Sequence, residues 1–482
     1  MGKSRGMDER DRFRRRRKII WALQWLLLFA VVAVLVVGIA AGIRWWGARG
    51  KQPNPMGESV TELGRQDDTK ESTKNPTAEG GSTTETTETA EPSEGSEEEK
   101  LLEQTERMAA MYDYDRAIET LQNYEGYENS SALKRAAAAY EEAKAKTVAY
   151  PDMDKITHIF FHSLIADTSK AFDGGSTSAG YNQVMTTISE FNQMIQSMYE
   201  KGYVMVDIHD IAKIELAEDG SEKMVYQSIY LPEGKIPFVL SQDDVSYYEY
   251  MTGDGFANRI VVDENGELTC EMDLEDGTTL RGDFDMVPLI EAFVREHPDF
   301  SYRGAKGMLC LTGYNGVLGY RTDTEYENNP TYAQDVEAAK QVAAVLKEKG
   351  WYFASHSWGH IHMQERSFDA VKTDTDKWES RVEPILGETD VLVYPFGEDI
   401  GDWHPYQGEK FEYLESVGFR YFCNVDSAQY WMQLGSNYLR QGRRNVDGQR
   451  MWQDLQHPEK AKLSDLFDVQ AVFDPARPTP VQ

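Results

Sequence analysis

Short apolar segments alternate along the second two-thirds of the chain with longer segments whose apolar residues recur every three or four positions. We interpret the long segments as helices, over 183–200, 288–296, 334–349 and 368–386. The short segments have the length of strands and read ITHIFFHSLI, YVMVDI, IPFVLSQ, GMLCLTG, YFASHS, VLVYPFG and FRYFCNV. Strands separated by helices pair in parallel, and this many units suit closure. The pattern predicts an α/β fold with a closed or nearly closed (β/α) barrel within residues 151–482.

Two regions depart from this alternation. Residues 250–286 contain Glu-Asn-Gly and Glu-Asp-Gly turns flanked by alternating residues, which predicts inserted β-hairpins. Residues 101–150 carry two helical patterns with Gly126 and Asn129 between them, which predicts a helical hairpin. The hairpin is similar to one half of a tetratricopeptide-like pair. A single pair is too short for a repeat stack, so we expect a spacer or a brace.

The N-terminal 100 residues have a different character. Residues 19–43 hold no charged side chain and are long enough to cross a bilayer, and the basic segment 1–18 precedes them. We predict a cytoplasmic tail, a single transmembrane anchor and an extracellular C-terminal domain in the cell membrane. A cleaved signal peptide is the alternative, although Arg44-Trp45-Trp46 resembles an interfacial anchor more than a cleavage site. Residues 44–100 are rich in Ser, Thr, Glu and Gly and predict a disordered linker.

Charge and cysteine content limit the possible partners. The formal net charge is −31, and beyond residue 50 the chain carries 39 basic against 78 acidic side chains. Such a surface repels phosphate backbones, so we expect no nucleic-acid partner. The three cysteines are widely spaced and fit neither a disulfide framework nor a zinc ribbon, so we expect small core residues.

Metal-binding residue types follow three of the predicted strands. Asp243 and Asp244 end one strand, and His356 and His360 follow another at a spacing that would place both imidazoles on one face of a helical turn. Carboxyl ends of parallel strands meet at one rim of a barrel. Two histidines and one aspartate around an open position form the ligand set of a hydrolytic divalent metal, with Zn²⁺ favoured and Co²⁺ or Ni²⁺ possible. We expect His362 to lie outside this set.

The order of these motifs resembles the polysaccharide deacetylases of carbohydrate esterase family 4, which share the NodB homology domain. The matching segments are SQDDV at 241–245, HSWGH at 356–360 and YPFG at 394–397, and the likeness covers roughly residues 155–450. It implies a distorted (β/α)7 barrel that removes N-acetyl groups from a polysaccharide.

The resemblance also implies roles for individual residues. Asp243 would be the general base, and Asp244, His356 and His360 would be the metal ligands. Asp243 would take a proton from water as the water attacks the acetamide carbon, and a backbone N–H such as that of Phe396 would stabilise the oxyanion.

Several side chains are candidates for contact with the substrate. The third motif is expected to line the substrate site, and an exposed aromatic residue at the barrel mouth would stack on sugar rings. These candidates are Tyr394, Pro395, Phe396, Gly397 and Trp403. Residues 399–403 also match a fourth family motif letter for letter, but they follow the third motif too closely, and we regard this match as coincidental.

The sequence departs from the family pattern in two important places. Val393 stands where an arginine often tunes the base, and no histidine occupies the late position of the family's general acid. The substitutes considered for the acid are His404, His457 and an arginine of the 440–444 segment. His162, in the first predicted strand, faces either the pocket or the core.

These observations favour a membrane-anchored, metal-dependent deacetylase acting on peptidoglycan or a chitin-like glycan. The missing late histidine leaves a catalytically impaired glycan-binding module of the same fold as the alternative. A surface scaffold acting through the 101–150 segment is the third hypothesis.

Overall fold

The structure is a computed structural model that describes residues 96–274, 276–426 and 428–481. The predicted basic tail, the predicted anchor at 19–43 and nearly all of the predicted linker lie outside these ranges. Within the described ranges, no helix is both long enough and apolar enough to cross a bilayer.

Seven parallel strands close into a barrel. The strands of the described chain are β1 (Thr147–Ala149), β2 (Thr157–Phe161), β3 (Tyr203–Met205), β4 (Ala212–Leu216), β5 (Glu222–Tyr226), β6 (Tyr230–Pro232), β7 (Ile236–Gln242), β8 (Arg259–Val262), β9 (Leu268–Asp273), β10 (Thr279–Gly282), β11 (Met308–Leu311), β12 (Tyr352–Ser355), β13 (Val391–Val393), β14 (Tyr421–Val425), β15 (Met432–Leu434) and β16 (Leu439–Asn445). The ring runs β2, β7, β11, β12, β13, β14, β16 and back to β2. The predicted α/β class with a closed barrel is therefore confirmed.

Helices connect the strands and cover the outside of the barrel. They are α1 (Glu97–Ala110), α2 (Tyr114–Gln122), α3 (Ser131–Lys144), α4 (Thr168–Ala171), α5 (Ser178–Val184), α6 (Ile188–Glu200), α7 (Ile208–Ile211), α8 (Met286–Glu296), α9 (Tyr332–Glu348), α10 (Phe368–Arg381), α11 (Glu383–Leu386), α12 (Glu409–Val417), α13 (Gly448–Gln456) and α14 (Val469–Val472). Two predicted helices are interrupted. Thr187 caps α6 and separates it from α5, and Pro384 lies in the first turn of α11 and separates it from α10.

One predicted strand lies outside the ring, and one ring strand was not predicted. β3 pairs with the first half of β7, while β11 pairs with the second half, so β3 does not take part in closure. The seventh strand of the ring is instead β16, which pairs with β14 and β2. β16 reads LRQGRRN and is buried along almost its whole length. Its charged and amide side chains hide the apolar alternation on which strand prediction depends.

Side chains alternate between the two faces of the barrel wall. Ile159, Phe161, Phe238 and Leu240 face outward and join the large apolar core under the helices. The inward positions carry smaller apolar residues together with a polar chain: the His158 ring contacts Ser241 Oγ at 2.9 Å and Gln441 Oε1 at 3.1 Å. All three cysteines are free and buried, as the sequence predicts.

The 97–144 segment contains three helices where the sequence predicts two. The first predicted helix divides between α1 and α2 at Tyr112, whose φ of +65° is incompatible with a continuous helix. The Tyr112 hydroxyl donates to the Asp299 carbonyl at 2.8 Å, and the Arg303 amide donates to the Met111 carbonyl at 2.7 Å. The helix is therefore interrupted at the point where it contacts the barrel domain. The region from 250 to 286 folds as an antiparallel sheet of β8, β9 and β10.

A cluster of charged side chains links two connecting segments of the chain, one around α7 and one before β13. His209, in α7, places its Nδ1 at 2.6 Å from an Asp207 oxygen and its Nε2 at 2.8 Å from an Asp390 oxygen. Asp390 directly precedes β13, so the imidazole links two segments far apart in sequence. Burial alone would lower the pKa of His209, but the two carboxylates raise it to about 10.

Candidate metal centre

The three predicted ligands meet at the carboxyl ends of the barrel strands. Asp244, His356 and His360 each bring a donor atom within 4.8 Å of the others. Asp244 follows β7, and His356 directly follows β12. The Asp243 amide donates to the Phe161 carbonyl at 2.8 Å, which fixes the end of β7 against β2. A carboxylate and two imidazoles are a donor set that suits Zn²⁺, Co²⁺ or Ni²⁺.

The orientation of His356 also fits a metal ligand. Its Nδ1 lies 2.9 Å from the Val393 carbonyl oxygen, which can only accept a hydrogen bond. Nδ1 therefore donates to this carbonyl, and Nε2 is the ring nitrogen left to face a cation. Ligating histidines are usually held by such a bond on the other ring nitrogen. Burial lowers the pKa of His360 to about 4, although the negative charge of Asp244 acts to raise it. This ring is therefore neutral at neutral pH.

The two histidines meet through a loop, and the expected helical turn is absent from residues 356–360. Their ring centroids are 5.0 Å apart. Ser357 has a φ of +56° and His360 a φ of +48°, and these left-handed residues fold the loop back on itself. The Asp374 carboxylate accepts hydrogen bonds from the amides of Trp358 and Gly359 at 2.7 and 2.8 Å, which holds the loop in place.

Backbone strain is concentrated around this group. Asp244 and Phe396 each have a φ of +59°, in addition to the two left-handed residues of the histidine loop. A non-glycine residue in this region costs about 1–3 kcal/mol and persists where the surroundings enforce it, often at functional sites.

Asp243 is buried beside the group and forms an ion pair with Arg443. Two hydrogen bonds of 2.6 and 2.9 Å join the guanidinium to the two carboxylate oxygens. Burial alone would raise the pKa of Asp243, but Arg443, His356 and His162 hold it well below its usual range. Asp243 therefore stays ionised at neutral pH, with one oxygen 3.9 Å from His356 Nε2.

Arg443 supplies the arginine that is missing at Val393. Its guanidinium lies 4.2 Å from the centroid of the Phe160 ring and donates to Ser241 Oγ at 3.3 Å, so its own position is fixed. From the sequence, the 440–444 arginines were candidates only as proton donors, and the contact of Arg443 with Asp243 was not predicted. The available signal was the alternation of β16, which puts Arg443 on the inward face with Gln441 once the segment is taken as a strand.

The residues considered as substitutes for the general acid have other partners. Arg440 is bound to Asp399 at 2.8 Å, and Arg444 to Asp465 at 2.7 Å. His404 and His457 are exposed and lie beside carboxylates of their own loops. Within the described chain, no hydrogen bond or ion pair joins any of these four to Asp243 or to the Asp/His/His group.

His162 lies at the site. It follows the last residue of β2, and its carbonyl accepts a hydrogen bond from Gln242 Nε2 at 3.4 Å. The side chain is only partly buried. Its ring interacts electrostatically with Asp243, His360 and Asp447. His162 therefore lies near the Asp/His/His group and is not enclosed in the core.

The predicted substrate residues divide into exposed and buried groups. Phe396 is 54% exposed and Trp403 is 71% exposed, so both rings are available to a ligand. The centroid of the Phe396 ring lies 4.4 Å from that of His360 and 3.9 Å from that of His362, on which it stacks. Phe396 is therefore at the edge of the metal centre. Tyr394 and Pro395 are buried, so neither side chain presents surface to a ligand. Gly397 is half-buried.

Two further expectations concern neighbours of the motifs. His362 is outside the ligand group, as expected, and its Nδ1 lies 2.7 Å from a Glu398 oxygen. Asp399 is buried and binds Arg440 and Asn424, so the DIGDW match at 399–403 begins with a structural carboxylate.

Comparison with known proteins gives a distant likeness to solved structures. No protein-family model matches the sequence, and no curated protein matches it. Among solved structures, the chain is similar to one titled Streptococcus pyogenes deacetylase PplD in complex with acetate, with a TM-score of 0.34 and 12% sequence identity. The match covers 63% of this chain and 94% of that chain. A likeness this slight carries no argument about activity.

Proposed function

We propose that this protein is a metal-dependent hydrolase that removes N-acetyl groups from a polysaccharide. The observation that carries the proposal is the conjunction of an Asp244/His356/His360 donor set with a buried, ionised carboxylate, Asp243, beside it. A donor set alone is compatible with a structural ion. A separate carboxylate next to an open donor set is the arrangement of a hydrolytic site.

The chemistry divides among the side chains by charge. A divalent cation held by Asp244, His356 and His360 would act as a Lewis acid toward water and toward the amide carbonyl. Asp243 is ionised and accepts the proton of the attacking water. Its two hydrogen bonds to Arg443 fix the direction of the carboxylate, so proton transfer needs little rearrangement of this side chain.

His162 is the proposed proton donor to the leaving amine. The attacked carbon loses the amine only when the nitrogen gains a proton, and Asp243 has its proton from the attacking water. A second group is therefore needed on the other side of the bond. His162 is partly exposed and interacts with the charges of Asp243 and Asp447.

The substrate proposal rests on the exposed aromatic rings and on the family resemblance of the motifs. Phe396 presents an apolar face beside the ligand histidines, and Trp403 presents a second exposed ring. Aromatic faces are suited to stacking on sugar rings. Peptidoglycan and chitin-like chains carry N-acetyl groups on such rings. An anchor at 19–43 would put the domain outside the cell, where such glycans occur.

The test is release of acetate from N-acetylated glycans by the purified full chain after loading with Zn²⁺. Peptidoglycan, chitin oligomers and a de-N-acetylated control polymer form the panel. The proposal predicts release from at least one N-acetylated glycan and none from Asp244→Ala. If wild-type protein and Asp244→Ala release acetate at the same rate, the metal centre is not the catalytic site. If no glycan is deacetylated at full metal occupancy, the proposed reaction is wrong.

A further inference from the structure

A chain of three hydroxyl groups ends on the carboxylate of Asp244. The Tyr248 hydroxyl lies 2.6 Å from Asp244 Oδ1 and 2.8 Å from Thr312 Oγ1. Thr312 Oγ1 in turn lies 2.9 Å from Ser246 Oγ. Ser246 and Thr312 are fully buried, and Tyr248 is nearly so.

The direction of these hydrogen bonds follows from proton counting. A tyrosine hydroxyl has one proton to donate, and the Tyr248 hydroxyl lies 2.6 Å from Asp244 Oδ1. A carboxylate can only accept, so Tyr248 donates to Asp244. Having given its one proton, the Tyr248 oxygen must accept from Thr312, and Thr312 must then accept from Ser246. All three hydroxyls therefore direct their donors toward Asp244.

The Tyr248 ring stacks with two other tyrosines. The ring centroids of Tyr248 and Tyr314 are 4.8 Å apart with an interplanar angle of 10°, and those of Tyr248 and Tyr250 are 5.8 Å apart with an angle of 12°. With the ring fixed in this stack and the hydroxyl fixed by Thr312, the phenol is a rigid donor. Asp244 needs such a partner because its backbone is left-handed and it lies in a loop after β7.

We propose that Tyr248 is a positioning residue of the metal centre, whose hydroxyl fixes the Asp244 carboxylate in its ligating orientation and thereby sets the affinity for the cation. The bond engages Oδ1 and leaves Oδ2 free of it. Outer partners of ligating carboxylates typically change metal affinity by about 10–100-fold when they are removed. This inference rests on the proposed metal site and concerns how that site is held.

The experiment measures Zn²⁺ affinity of the full chain by competition with a chromogenic chelator, without any substrate. Tyr248→Phe keeps the ring and removes the donor. Tyr250→Phe is the matched control, because it makes the same change in the neighbouring ring of the stack, which is 60% exposed. Thr312→Val removes the next donor in the chain. Thermal midpoints of the metal-free proteins report structural damage separately.

We expect Tyr248→Phe to weaken Zn²⁺ binding by about 10–100-fold. Thr312→Val should weaken it by a smaller factor, and Tyr250→Phe should stay within about twofold of wild type. If wild-type protein binds Zn²⁺ and Tyr248→Phe binds it with the same affinity, the positioning role is wrong. The proposed metal site is not affected by that result. Equal losses in Tyr248→Phe and Tyr250→Phe, or a fallen midpoint with unchanged affinity, show a structural role and also overturn it. Absence of Zn²⁺ binding by wild-type protein removes the metal site and this inference together.

Discussion

Replacing Arg443 with methionine would remove the charged partner of a carboxylate that is almost fully buried. Asp243 and Arg443 are both buried, and two hydrogen bonds of 2.6 and 2.9 Å join them. Methionine retains much of the volume of the arginine stem and packs on Phe160, so the main loss is the compensating charge. Breaking a buried pair by removing one partner costs about 3–5 kcal/mol. In large domains each kcal/mol moves the melting midpoint by about 2 °C or slightly less, so we expect a fall of about 5–10 °C.

The loss should depend on pH in a specific direction. In the wild-type protein the pKa of Asp243 is depressed, so its contribution to stability is present above the unfolded pKa and is lost as the pH falls through the folded pKa. In Arg443→Met, burial is opposed only by the nearby histidines, and the pKa of Asp243 rises. The carboxyl then gains a proton more readily in the folded state. The difference in midpoint between variant and wild type should therefore be large at pH 7 and smaller near pH 4.

The assay is thermal unfolding of the metal-free full chain across this pH range, followed by circular dichroism. The double variant Asp243→Asn/Arg443→Met is the control, because it removes both charges. It should be more stable than the sum of the two single losses predicts, since neither charge is left unpaired. A shift below about 2 °C in Arg443→Met, or strictly additive losses in the double variant, would refute the pairing argument.

Three further predictions concern histidines, each with its own control. His162→Gln should slow acetate release by about 100- to 10,000-fold and remove the basic limb of the pH–rate profile, whereas His457→Gln should leave both unchanged; an unaltered profile in His162→Gln would exclude the proposed acid. His360→Ala should abolish Zn²⁺ binding in a chelator competition, and His362→Ala should retain it; equal affinities would place the ligand elsewhere. The pKa of His209 is raised to about 10, so its stabilising contribution is complete below about pH 6.5 and lost as the pH rises through about 10. The midpoint of wild-type protein should accordingly fall more between pH 8 and 11 than that of His209→Gln, and parallel curves would contradict this.

The positions of Asp244 and His356 were predictable from sequence because both residues lie just beyond the ends of strands. Asp244 and His356 come after clear apolar segments, and strand ends in a parallel barrel converge on one rim. That argument needs only strand positions and residue types. The geometry that brings His360 back to His356 was not predictable in the same way. It depends on left-handed residues in the loop, where the spacing alone suggested a helical turn.

The ion-pair partner of Asp243 could not be predicted from sequence for a different reason. Asp243 and Arg443 are separated by 200 positions, and nothing local connects them. β16 carries so many polar side chains that its pattern does not indicate a strand, although the barrel interior compensates these groups with Asp243, Ser241 and His158. Tyr394 shows the reverse error. Its place in a motif suggested substrate contact, but its ring is buried in the core beside Phe422.

The most direct test of the account is a Zn²⁺ titration of the metal-free full chain with acetate release followed on N-acetylated glycan. The account predicts that activity rises with metal occupancy, reaches its maximum at one Zn²⁺ per chain, and is absent in Asp243→Asn at the same occupancy. Acetate release that is independent of bound Zn²⁺, or that persists in Asp243→Asn, would contradict it.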